Sequence, residues 1–441
     1  MTEPVTVVGA GLAGAEAAWQ LSIRGIPVRL VEMKPAKMTP AHSSPYFAEL
    51  VCSNSLRSDE LTNAVGLLKE ELRRTGSLIM LCADEHRVAA GGALAVDRVG
   101  FAKAVTDRLL SRENVMIVSE EVVDFPEGDV IIATGPLTAD ALADRIAERT
   151  GGEGLHFFDA AAPIVTLASV DMESAYFASR YDKGTADYVN CPMTQEEYLA
   201  FWHELCHAKE AHVHGFDDGG VFEGCMPVEV MARRGEDTLR YGPMKPVGLR
   251  NPRTGQEDYA VVQLRRDDAE GTLYNLVGFQ THLTFGEQKR VFSMIPALRD
   301  AEFVRWGVMH RNTYLDSPRL LDKYYRLREE PRIRFAGQMT GVEGYVESCA
   351  SGMLAGLTLA AERLGLPLPE FSQETAIGAL GYYISQGSVG DFQPMNVNFG
   401  IISQLGYRVR GKRNRNAALS ERSLAAVDEL IKGELWTCVS L

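Results

Sequence analysis

Two cysteines stand in surroundings that suit chemistry better than packing. Cys52 lies beside Ser53, Asn54 and Ser55 in an irregular polar stretch, residues 39–60, that reads as a long loop over a site. Cys225 lies between Gly224, which allows close approach of another group, and Met226-Pro227, which fixes the chain after it. A thiolate can add to an electrophilic carbon or take a proton. An unperturbed thiol near pKa 8.5 is only about 3% ionised at pH 7, so either task needs a lowered pKa or a nearby base. The other cysteines read differently. Cys82 follows Leu78-Ile79-Met80-Leu81 and reads as core, Cys349 and Cys438 read as structural, and Cys191, beside Asn190 and Pro192, stays a third candidate thiol. His203 and His207 have the i, i+4 spacing of metal ligands, with Cys206, His212 and His214 close by in sequence. Solvated histidines on one helix are common, and no metal is expected.

The turn Gly9-Ala10-Gly11-Leu12-Ala13-Gly14 is a second constellation; it follows the apolar run Val5–Val8 and opens helix-forming sequence up to Ile23. Here Gly9 permits the sharp bend, Gly11 lets backbone approach a pyrophosphate, and Gly14 lets helix and strand pack closely. The free N–H groups of the helix start, at Leu12 and Ala13, face the phosphates. Gly25 stops the helix, Val28–Glu32 reads as a second strand, and Glu32 at its end can accept a hydrogen bond from a ribose hydroxyl. This is a dinucleotide site opening a βαβ unit. Far downstream, Ile132-Ala133-Thr134-Gly135-Pro136 resembles the second signature of two-dinucleotide-type flavoproteins. Phe335-Ala336-Gly337-Gln338, followed by Gly341 and Gly344, resembles their last strand and the glycine loop into a helix. That resemblance implies FAD, with Gly135, Gly337, Gln338, Gly341 and Gly344 at the cofactor and Glu343 and Tyr345 close to the flavin ring. Gln338 stands where those proteins usually carry aspartate. A second G-x-G-x-x-G between strand and helix is absent, so the reductant is expected to visit the flavin face transiently.

Pieces of one cofactor site at both ends of 441 residues require a discontinuous fold. We expect an α/β protein with a Rossmann-like FAD-binding domain in two parts, 1–164 and 326–441, and an inserted α+β domain at 165–325. The insertion has its own signals: Thr194 and Glu197 have capping-box spacing ahead of a helix, and short strands fall near 259–264 and 273–278. A helix is expected over 66–74, another behind Asp97, a strand at 332–337 and a small-residue helix over 346–364. No run of about 18 apolar residues spans a membrane, and no secretory leader is visible. Seven scattered cysteines do not make a disulfide framework, which places the protein in the cytoplasm. The net charge of −14 argues against a nucleic-acid partner on average. Against that, Arg408, Arg410, Lys412, Arg413 and Arg415 put five cations in eight residues beside Tyr407. They form either a solvated tail or a contact for RNA phosphates.

Several blocks together resemble one family: Val51–Ser55, Gly92–Arg98, Phe222–Pro227, Gly278–Thr281, Gly307–Thr313, Gly337–Tyr345 and Pro394–Gly400. They are similar to the methylenetetrahydrofolate- and FAD-dependent tRNA (uracil-5-)-methyltransferases. The resemblance implies that NAD(P)H reduces FAD, and that reduced flavin carries the carbon of methylenetetrahydrofolate to C5 of the T-loop uridine in the tRNA T-arm. No S-adenosylmethionine is used. It also places His310, with Arg311 beside it, at the folate; packing is the plainer reading of His310. Uracil C5 is a poor nucleophile until a thiolate adds at C6, and a second group must then remove the C5 proton. We expect Cys225 to attack C6 and Cys52 to take the proton, with the reverse assignment open. The nearest alternative is the related flavoprotein family that modifies the wobble uridine of tRNA, whose chains are longer and work with a GTPase. A tRNA-binding flavin module without catalysis and a small-molecule flavin oxidase are the rivals from other classes.

Overall fold

In the computed structural model, residues 3–39, 41–151, 155–160, 162–182, 185–211, 226–307, 309–386 and 392–439 are described, with backbone alone at 155–160 and 309–313. Five parallel strands form the first layer, in the order Ile333–Phe335, Val130–Ile132, Val5–Val8, Val28–Glu32, Val115–Ser119. Every residue of Val5–Val8 is buried, Thr6 included, because both faces of a parallel sheet are covered. The edge strand Ile333–Phe335 arrives from the far end of the chain, as a discontinuous Rossmann-like fold demands.

Helices Leu12–Ser22 and Tyr345–Leu364 pack across this sheet almost backbone to backbone. The reason is steric: a Cβ at Gly352 would overlap Ala13 O, and one at Gly356 would stand 2.9 Å from Ala17 O. The small-residue character of the second helix is thus a packing surface. The helix expected over 66–74 runs Ala64–Arg74, and Asp97 caps Arg98–Leu110 by accepting from Val99 N and Gly100 N.

The inserted part carries a six-stranded antiparallel sheet in the order Tyr176–Ala178, Tyr188–Met193, Ala260–Arg266, Leu273–Leu276, Ile164–Thr166, Phe303–Arg305. Its apolar core, around Tyr198, Phe201, Phe279 and Phe292, is separate from that of the parallel sheet. Thr194 and Glu197 form the expected capping box on helix Gln195–His207. The chain enters and leaves along a two-stranded ribbon, Leu155–Ala160 against Met309–Tyr314.

Two expectations are corrected. The polar stretch 39–60 is not loop throughout, since Ser55–Ser58 is a strand paired with Ala93–Val96, a non-local contact that polarity conceals. The basic segment at 408–415 is no tail: Lys412 starts a helix that runs to Leu430 and docks on Ala64–Arg74. No helix among the described residues is long and apolar enough to cross a membrane.

Candidate active site

A cleft opens at the carboxyl ends of the parallel strands, where open α/β sheets bind ligands. Gly9, Gly11, Leu12, Ala13, Glu32, Gly135, Gly337, Gln338 and Tyr345 line it together. The first intrahelical bond runs from Ala15 N to Gly11 O, leaving the amides of Leu12, Ala13 and Gly14 without intrahelical acceptors. Glu32 is fixed by Ala10 N at 2.7 Å and Lys34 N at 3.0 Å, one bond on each oxygen. Gly14 lies behind the wall, packed so tightly that a Cβ would overlap Gly9 O, whereas a Cβ at Gly11 meets nothing within 4 Å. Gly341, Glu343 and Gly344 also stand behind the wall; Glu343 accepts a hydrogen bond from Gln338 Nε2 at 2.7 Å. The block at 394–400 zips onto this glycine loop through Met395 N to Gly341 O and Glu343 N to Met395 O.

Three groups without a sequence signal complete the wall: Lys34, His42 and Glu49. Lys34 pairs with Glu49 at 3.3 Å, both nearly sealed from solvent, and Glu49 also accepts from Ser43 N and Oγ. Burial alone would push the Glu49 carboxyl up; the Ser43 hydrogen bonds and the Lys34 charge overcome it and hold the group low. Burial, with Lys34 beside it, pushes the His42 imidazole down.

Cys52 follows Val51, a residue of the cleft lining. Its backbone N–H donates to Tyr345 Oη at 2.7 Å, and Ser53 N donates to the same oxygen at 3.3 Å. Asn54, fully buried, spans Val96 O at 3.0 Å and Arg266 O at 2.8 Å. The 52–54 segment is therefore pinned between the two parts of the molecule.

Cys225 falls outside the described residues. Glu210 and Glu229 converge on His282, at 2.9 Å to Nε2 and 2.6 Å to Nδ1, and Arg233 pairs with Glu210. Thr281 Oγ1 and His282 N also donate to Glu229, which gives the 278–281 block a structural reason. Burial alone would lower the His282 pKa, but the carboxylate hydrogen bonds win and raise it from 6.5 to about 9. Glu210, hydrogen-bonded to His282, falls from 4.5 to about 2. The stability from raising His282 is fully present below pH 6.5 and is lost as pH climbs through about 9. That from lowering Glu210 is present above pH 4.5 and is lost as pH falls through about 2. Amide exchange at 278–284 should therefore speed up between pH 7 and 10 more than elsewhere in the inserted sheet. In His282→Gln that local pH dependence should vanish; a persisting one would place the titrating group elsewhere.

The remaining candidates separate clearly. Cys191 is fully buried in strand Tyr188–Met193 and its thiol is pushed far up by burial, which removes it as a reactive group. Cys82 is core, pushed to about 12 by burial, and Cys349 is buried against Ser77 and Glu16. Cys438 is exposed, contrary to expectation, because the short helix Glu434–Thr437 buries Leu435 and turns the cysteine out. The rings of His203 and His207 lie tilted against each other, 4.5 Å between centroids, while His212 and His214 lie outside the described residues. His310 and Arg311 occupy the connecting ribbon, opposite Asp159 and Phe158. Arg408, Arg410, Lys412, Arg413 and Arg415 are all exposed, and none forms an ion pair among the described residues. In the inserted part, by contrast, Arg265 is buried and Arg253 is tied to the carbonyls of Met172 and Ala175.

The family model of glucose inhibited division protein A matches residues 4–367. A methylenetetrahydrofolate--tRNA-(uracil-5-)-methyltransferase TrmFO from Acetivibrio thermocellus is 58% identical over 432 residues, 98% of this chain and 99% of that protein. The protein of the same name from Lactobacillus delbrueckii subsp. bulgaricus is 59% identical over 427 residues, 96% and 97% of the two chains. Among solved structures, GidA of Aquifex aeolicus superposes with a TM-score of 0.71 at 16% identity, over 99% of this chain and 77% of its own, a likeness of fold. At such identity over nearly the full length, the chain belongs to the glucose inhibited division protein A family and, within it, to the methylenetetrahydrofolate--tRNA-(uracil-5-)-methyltransferases.

Proposed function

We propose that the protein methylates C5 of the T-loop uridine of tRNA, with methylenetetrahydrofolate as carbon donor, FAD in the cleft and NAD(P)H as reductant. The observation that carries this reading is the hydrogen bond from Cys52 N to Tyr345 Oη, which seats a thiol-bearing loop on a side chain of the dinucleotide cleft. The cleft fits FAD by its donor set: open space over Gly11, helix-start amides for the pyrophosphate and an oriented Glu32 for a ribose hydroxyl. Bound FAD supplies the redox chemistry that makes a methyl group from a methylene carbon.

The chain's own residues do the acid–base work. Cys225 adds to uracil C6 and drives the electron pair toward O4, which makes C5 nucleophilic. Once C5 has taken the carbon, Cys52 removes the C5 proton; the C–H pair forms the C5=C6 bond and expels Cys225 from C6. His310 and Arg311, on the ribbon joining the two parts, are assigned to the folate side.

The RNA surface is the start of helix Lys412–Leu430. Cations at Lys412, Arg413 and Arg415 oppose the helix dipole, and no acidic residue offsets them in the first turn. Fold stability gives no reason for this placement, while phosphate binding does. Asn416 Nδ2 to Thr62 O at 3.0 Å and Ser420 Oγ to Leu61 O at 2.6 Å dock the helix just beyond strand Ser55–Ser58, on the chain that carries Cys52.

Mass analysis of tRNA fragments after incubation with methylenetetrahydrofolate and NAD(P)H should find one added methyl group in the T-arm, independent of S-adenosylmethionine. A product at the wobble position would replace this reading with the alternative. In the same assay, joint replacement of Arg410, Lys412, Arg413 and Arg415 by Ala should weaken tRNA binding. The salt dependence should flatten by roughly 0.7–0.9 in log–log slope for each phosphate no longer neutralised. Flavin reduction and melting temperature should hold, since first-turn cations do not stabilise the helix. An unchanged slope would remove this surface from the RNA interface.

A further inference from the structure

The loop that carries Cys52 is held by a reciprocal pair of arginines, one from each part of the molecule. Arg98, the first residue of helix Arg98–Leu110, donates from Nη1 to Leu50 O and, at 3.4 Å, to Val51 O. The same guanidinium forks onto Asp267 of the inserted part, Nη2 at 2.7 Å and Nε at 3.2 Å. Arg265, two residues before Asp267, reaches back to Ser53 Oγ at 2.5 Å and Asn54 Oδ1 at 3.2 Å. The Arg98 and Asp267 side chains are only 11% and 5% exposed, so solvent screens the fork weakly. Residues 50 and 51 are gripped from one side and 53 and 54 from the other, with Cys52 between them.

We propose that Arg98 and Asp267 are positioning residues for the transfer of the C5 proton to Cys52, an inference that rests on Cys52 being the base. Cys225 belongs by sequence to the inserted part and Cys52 to the first part of the cofactor domain. The distance from the C5 of a bound uracil to Cys52 depends on where the 50–54 loop stands, and the Arg98–Asp267 fork fixes that loop against the inserted part. A proton acceptor must stand within hydrogen-bond reach of its proton, and a displacement of about 1 Å can cost about 10²-fold in rate. Arg98 never needs to touch the substrate.

The test uses T-arm RNA with tritium at C5 of the target uridine and, in parallel, RNA with 5-fluorouridine there. Asp267→Asn keeps the shape and removes the charge; Arg98→Lys keeps a cation but cannot span two carbonyls and a carboxylate. Both should retain FAD and its reduction by NAD(P)H, and should form the 5-fluorouridine adduct at the wild-type rate, because that trap has no C5 proton to lose. Tritium release should fall about 10²-fold in kcat with KM for RNA unchanged. Release at the wild-type rate in both variants would overturn the proposal. So would adduct formation and release falling in equal proportion, which marks a purely structural role. Cys52→Ala separates the underlying reading: release persisting in that variant would remove Cys52 as the base. Release lost in Cys52→Ala but kept in both other variants would remove only the positioning role.

Discussion

Gly11→Val should yield folded, colourless protein. At most glycines of a dinucleotide fingerprint a branched side chain breaks the fold, and loss of cofactor then says nothing about binding. Gly14 is of that kind, since a Cβ there would overlap Gly9 O. Gly11 differs: it precedes helix Leu12–Ser22 with φ −68° and ψ −171°, backbone angles open to valine, and an added Cβ meets no protein atom within 4 Å. The valine branches would instead fill the space in front of the Leu12 and Ala13 amides, where pyrophosphate must lie. Absorbance at the flavin band after gel filtration should fall to near nothing while the melting curve of the apoprotein matches that of wild-type protein stripped of FAD. Full flavin content in this variant would mean that the pyrophosphate is held elsewhere. A Gly14→Val protein should be insoluble or molten.

The other large effect divides the two thiols. Cys225→Ala should form no covalent complex with 5-fluorouridine T-arm RNA under conditions where wild type accumulates one. Cys52→Ala should still form the C6 adduct, because addition at C6 precedes any demand on the base. Both should stay yellow, as the cleft wall is built from the glycine turn, Glu32 and the 337–345 stretch. The complex surviving in Cys225→Ala and vanishing in Cys52→Ala would exchange the roles; complexes in both would end the two-thiol mechanism. On natural tRNA, both variants should lose turnover by at least the 10²–10⁴-fold that a positioned acid–base group contributes.

What the sequence revealed was local. The Thr194–Glu197 box, the Asp97 cap and the glycine turn are each written within a few residues, and each forms as read. The helix over 412–430 was hidden because its buried face includes Asn416, Ser420 and Ser423, polar residues that leave little apolar periodicity to detect. Strand Ser55–Ser58 exists through its pairing with Ala93–Val96, and its composition says nothing of that. The same limit governs the site. Glu32 could be placed because a strand and a turn lead straight to it, while Arg98 and Asp267 meet across 169 positions. His282 meets Glu229 across 53, and no spacing rule joins them.

The close seam between Leu12–Ser22 and Tyr345–Leu364 has a consequence for how the protein is made. Its first half leaves the ribosome near the start of synthesis and its second half near the end, with the whole inserted sheet translated between them. At roughly 5–20 residues per second, the Ala13 and Ala17 face of the early helix waits tens of seconds for Gly352 and Gly356 to cover it. Gly337, Gln338 and Tyr345 complete the cleft wall in the same late stretch. A nascent chain halted anywhere before them offers a dinucleotide only half a site and leaves the Ala13 and Ala17 face of the early helix uncovered. Cofactor capture is thus a closing event of biosynthesis, and during the wait the chain has the features of a chaperone client.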